Sequence, residues 1–64
     1  MDINLMDVSQ LREYMRSSGE LNKPNADSVA WKHAFKLYKQ AQGVRVEMDC
    51  SGCWRRVTAW IRND

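Results

Sequence analysis

The chain has 64 residues, 44% of them hydrophobic, with ten Lys and Arg against eight Asp and Glu and one His, a net charge of +2. That is a single small domain, 1–64, with a thin core and near the lower limit for folding alone. The charged fraction of 28% is ordinary and argues against disorder, no run approaches a membrane-spanning length, and 1–7 lacks the basic-then-apolar order of a signal peptide.

Asp7 is placed to cap a first helix over about 8–17, with Val8, Leu11, Met15 and Tyr14 at helical spacing. Gly19 is its stop. Residues 20–25 are polar, contain the one proline, Pro24, and read as a connector. Asp27 or Ser28 caps a second helix to about 41. Its apolar stripe is Ala30, Trp31, Ala34, Phe35, Tyr38 and Ala41, with Lys32, Lys36 and Lys39 on the other side. Gly43 ends it, because a left-handed residue costs little only for glycine.

Residues 44–48 alternate, so Val44, Val46 and Met48 share one face of an extended segment. Ile3 and Leu5 could supply a short partner strand; otherwise the segment packs as an arm across the helices. Asp49 or Ser51 caps a third helix over about 52–62, whose inner stripe is Cys53, Val57, Trp60 and Ile61. The expected fold is mainly α, a three-helix domain with one extended or β segment before the last helix. Trp31, Phe35, Val57 and Trp60 are expected to join the second and third helices.

The two cysteines stand as Cys50-Ser51-Gly52-Cys53 at the start of the third helix. A C-x-x-C can share a metal, form a disulfide or do redox chemistry. For zinc, the chain offers Cys50, Cys53 and His33, with Asp49 or Glu47 as a fourth ligand, or two C-x-x-C pairs from a homodimer. For redox chemistry, the helix N-terminus and Arg55 and Arg56 favour a thiolate, but the βαβ pattern of a thioredoxin-like scaffold is missing. The plain alternative is a helix-start thiol and a small buried hydrophobe. His33 lies one position off the Trp31–Phe35 stripe and reads as a boundary residue bonded to water or backbone. No nucleophile–base set and no Gly-rich phosphate loop is present, so no enzyme is expected.

Trp54 with Arg55 and Arg56 makes an aromatic-basic cluster. It suits a protein-contact hot spot or base stacking with phosphate contacts, unless Trp54 covers the end of the core. Lys36 or Lys39 would extend the patch if the helices lie side by side. Residues 1–28 carry net −2 and residues 29–64 net +4, which suits an anionic partner or a solvated face. The 43–51 connection is too long for a helix-turn-helix.

The stretch Trp31-Lys32-His33-Ala34-Phe35-Lys36-Leu37-Tyr38-Lys39, then Gly43, then Cys50-Ser51-Gly52-Cys53 and Val57, resembles a pattern in small proteins of tailed bacteriophages and prophages. The resemblance covers roughly the C-terminal half. It implies a viral origin and a role as a virion component, a nucleic-acid-associated factor or an inhibitor of a host protein. The function expected is a non-enzymatic protein-binding module, in the host cytoplasm or the virion. The alternatives are a zinc-stabilised nucleic-acid-binding domain using Lys32, Lys36, Lys39, Arg55 and Arg56, and a thiol redox protein working through Cys50 and Cys53.

Overall fold

A computed structural model describes residues 2–62. Three helices carry the fold: α1 (Val8–Ser18), α2 (Val29–Gln42) and α3 (Ser51–Arg62). Short 3-10 turns cover Ile3–Leu5 and Glu20–Asn22. There is no strand among the described residues. The fold is mainly α, as the periodicity predicts.

The first two helices begin and end where their caps dictate. Asp7 accepts the N–H of Gln10 while the Gln10 side chain accepts the N–H of Asp7, a reciprocal capping box. Ser28, rather than Asp27, caps α2 by accepting the N–H of Trp31. Gly19 and Gly43 close α1 and α2 with φ of 80° and 65°, in the left-handed region.

The core takes one stripe from each helix. Leu11 and Met15 come from α1, Ala30, Trp31, Ala34 and Phe35 from α2, and Val57 and Ile61 from α3, with Leu21 and Val46 closing it. Trp31 is fully enclosed. Its indole N–H donates to the Glu20 carbonyl at 3.0 Å, which satisfies the one polar atom such a ring must bury. The Glu20 carboxylate also accepts from the Ser28 hydroxyl, so the connector after α1 is clamped onto the start of α2.

Residues 44–48 take the arm form rather than a strand, and Trp60 sits at the margin of the core where its stripe predicts the interior. Ile3 and Leu5 form a 3-10 turn instead of a strand, because the Asp2 carboxylate accepts the N–H of Asn4 and curls the chain. On the 44–48 segment only Val46 is buried, while Val44 is 45% exposed. Without a partner strand the segment is an arm, held by buried Val46 and by Met48, which packs against the core and accepts the Trp54 indole N–H. Trp60 is half-buried on the flank of the core, edge-on to Tyr38 with ring centroids 5.4 Å apart.

Contacts along α2 and α3 climb together. Trp54 meets Trp31 and Phe35, and one and a half turns later Trp60 meets Tyr38. The chain must therefore return along α2 before α3 starts. Residues 43–50 make this return, leaving α2 at Gly43 and turning at 47–50 into α3.

Candidate functional site at the start of the third helix

The return arm ends in a turn in which the Cys50 N–H donates to the Glu47 carbonyl at 3.3 Å. Cys50 then occupies the position that caps α3. Its carbonyl accepts the N–H of Trp54 at 3.1 Å, and its Sγ accepts the N–H of Cys53 at 3.2 Å. The sequence suggests Asp49 or Ser51 for this position; the sulfur takes it instead. A cap acceptor lies two or three residues before the N–H it serves, and Cys50 stands three before Cys53.

This placement polarises the pair. Cys50 is exposed and Cys53 half-buried. The Cys53 N–H donates to the Cys50 sulfur at the first turn of the helix. The Cys53 side chain first, then the backbone N–H groups of Cys53 and Gly52, hold the Cys50 pKa below the ordinary thiol value, against upward pushes from desolvation and, more weakly, from the Asp49 charge. Cys53 moves the other way, chiefly because its own proton is engaged by Cys50, although the Glu47 backbone and Arg56 pull it down. Gly52 lies beside the sulfur, where a Cβ would stand in ordinary van der Waals contact, 3.9 Å from Cys50 Sγ.

His33 does not join the cysteines. It is 4% exposed, and its Nε2 lies 2.9 Å from the Met6 carbonyl, so the ring pins the first 3-10 turn to α2. The boundary position expected for His33 is thus a core position. Among the described residues no three His, Cys, Asp or Glu side chains gather as a metal site. The one-chain zinc set of Cys50, Cys53 and His33 is not formed, because the helix start carries the cysteines while His33 faces the N-terminal turn.

Trp54 is half-buried. Its ring stands 5.2 Å from Trp31 and 4.8 Å from Phe35, and its indole N–H donates to the Met48 carbonyl. Arg55 and Arg56 beside it are exposed, as are Lys32, Lys36 and Lys39 on α2. None of these five cations has a carboxylate partner among the described residues. The structure separates the aromatic member of the cluster, which packs inward, from its basic members, which face outward.

A shallow cavity of about 150 Å³ is lined by Arg16, Leu21, Asn22 and Arg62. Arg16 and Arg62 come from opposite ends of the chain, and no local spacing could reveal their approach. Among the described residues no helix is long and apolar enough to cross a membrane. Comparison with family profiles, curated proteins and solved structures returns no match.

Proposed function

We propose that this protein is a small non-enzymatic binding module of phage origin that contacts an acidic surface of another protein. The observation that carries the reading is the set of five exposed, unpartnered cations, Lys32, Lys36 and Lys39 on α2 with Arg55 and Arg56 on α3. Residues 32, 36 and 39 recur at helical spacing and line one stripe. Exposed cations without carboxylate partners gain little from the fold itself and gain Coulomb attraction from an anionic partner. The proposed phage origin rests on the resemblance carried by Trp31–Lys39, Gly43, the C-x-x-C and Val57, and the host cytoplasm or the virion is the location proposed with it.

A protein partner is preferred to nucleic acid because Trp54 is engaged within the fold. Its ring packs against Trp31 and Phe35 and its N–H is bonded. Single-stranded nucleic acid is commonly held by aromatic rings free to stack bases, and the basic cluster retains none at its centre.

The test compares the parent with a Lys36→Glu, Arg55→Glu, Arg56→Glu variant by affinity capture from host-cell extract, with and without nuclease. The expected result is a folded variant that loses a defined protein which nuclease does not remove from the parent. Capture that disappears with nuclease, together with binding of random DNA or RNA that weakens steeply with salt, would replace this reading by the nucleic-acid one.

A further inference from the structure

The geometry points to a second activity: Cys50 and Cys53 form a reversible dithiol/disulfide couple, with Cys50 the attacking thiol toward low-molecular-weight disulfides and Cys53 the resolving thiol. The two sulfurs are not equivalent. Cys50 is exposed at the tip of the turn, beside Gly52. Its Sγ already accepts the Cys53 N–H, and its carbonyl is tied to Trp54. A negative charge developing on that sulfur therefore meets a fixed N–H donor and the positive end of a twelve-residue helix. Cys53 is half-buried against the core and less open to an external disulfide than Cys50, yet its backbone N–H bonds the Cys50 sulfur, which keeps the two residues of the C-x-x-C adjacent. The opposed pKa directions agree with this division, since the thiolate is the nucleophile.

The exchange balances with glutathione disulfide as the oxidant. The Cys50 thiolate attacks one glutathione sulfur, the glutathione S–S bond breaks, and one glutathione thiolate leaves and takes a proton from solvent. The Cys53 thiol gives its proton to solvent and attacks the Cys50 sulfur of the mixed disulfide. The Cys50–Cys53 bond forms and the second glutathione leaves. Two electrons pass from the protein to glutathione disulfide, and two glutathione thiols result. The reduced form is stabilised by the contacts at Cys50, and a low-pKa thiol is a good leaving group, so reduction by thiols is also ready.

The test equilibrates the full chain with reduced and oxidised glutathione at a series of ratios, quenches with acid, alkylates, and weighs the intact protein. A monomer that converts from a doubly alkylated dithiol to an unalkylated form two hydrogens lighter than the free dithiol chain, and reverts in excess reduced glutathione, is expected. The Cys53→Ser variant should accumulate a mixed disulfide at Cys50, whereas Cys50→Ser, checked for helicity by circular dichroism, should react at least tenfold more slowly. The proposal is overturned if Cys53 in the Cys50→Ser variant reacts as fast as Cys50 in the Cys53→Ser variant. It is also overturned if oxidation links two copies, or if the protein stays a dithiol until a chelator removes bound zinc.

Discussion

The indole N–H of Trp54 donates to the carbonyl oxygen of Met48, so a side chain from the first turn of α3 closes the turn that delivers the chain to that helix. The same ring packs between Trp31 and Phe35. Trp54 thus fixes both the arm and the helix start, and its neighbours Arg55 and Arg56 gain their outward direction from that anchor.

Trp54→Ala should lower the melting temperature clearly, with a loss toward the lower end of the roughly 3–5 kcal/mol typical of Trp-to-Ala changes in cores, because the ring is only half-buried. Trp54→Phe keeps most of the ring and loses the bond to Met48, so about 1–3 kcal/mol is expected. Arg55→Ala and Arg56→Ala should leave the melt nearly unchanged, as exposed side chains without ion pairs. Urea titration followed by circular dichroism orders the four variants; equal losses for Trp54→Ala and Arg55→Ala would contradict the anchoring role.

Phe35 is 3% exposed and supports Trp54 from below at 4.8 Å. Phe35→Ala should cost about 3–5 kcal/mol, enough to unfold most domains of this size at room temperature. Loss of the helical signal at 25 °C is the expected outcome. A cooperative melt near the parent's temperature would show that the α2–α3 contact is not the centre of the fold.

The helices were legible because each carries its own signals. Asp7, Gly19, Ser28 and Gly43 mark ends, and Leu11, Met15, Trp31, Phe35, Val57 and Ile61 repeat at helical spacing and are all buried. What escaped depends on contacts distant in sequence. Leu21 is buried although its segment is polar, because the Glu20 carbonyl reaches Trp31 eleven residues on. His33 is buried because Met6, far along the chain, offers its carbonyl. At the candidate site the C-x-x-C and its helix-start position were readable. That the sulfur itself is the cap was not, because the motif gives spacing and not register, and serine and aspartate are the usual cap residues.

His33 has one ring nitrogen 2.9 Å from the Met6 carbonyl and the other, Nδ1, buried without a hydrogen-bond partner among the described residues. His33→Ala removes the tie and opens a cavity, so a loss of about 1–3 kcal/mol is expected. Zinc titration of the reduced protein should give the same stoichiometry with and without the substitution, since His33 stands apart from Cys50 and Cys53. A zinc signal that vanishes in His33→Ala while the fold persists would restore the three-ligand site.

The opposed thiol shifts set a pH order. Cys50 is held below the ordinary thiol value by the donors from Cys53 and Gly52, and Cys53 above it by sharing its proton with Cys50. As pH rises, Cys50 should ionise first and alkylate with iodoacetamide at a midpoint below that of a free thiol, with Cys53 following only at higher pH. For stability the signs also differ. A depressed folded pKa contributes above that value and loses its contribution as pH falls through it. A raised one contributes below the unfolded value and loses its contribution as pH rises through the folded one. Site-resolved alkylation by mass spectrometry across the pH range checks the order, and simultaneous labelling of the two cysteines would contradict it.

The last relationship joins the two ends of the fold. Arg12 on α1 donates from Nε to the Ile61 carbonyl at 2.7 Å. The final carbonyls of a helix have no partner within it and carry the negative end of the dipole, so a guanidinium there satisfies an acceptor and places a positive charge where it is favoured. The bond also spans 49 residues and closes α1 against α3. Arg12→Met keeps much of the apolar stem and removes the donor and charge. A loss of about 1.5–3 kcal/mol is expected, the range for hydrogen bonds from charged groups, toward its lower end because Arg12 is half-exposed. The effect should be local. Hydrogen exchange should quicken in the last turn of α3, around Trp60 and Ile61, and stay slow around Leu11 and Met15. Arg12→Lys should recover only part of the protection, because an ammonium presents its donors as a point charge and not along the Nε direction. Unchanged exchange at the end of α3 in Arg12→Met would show that the helix holds its last turn without α1.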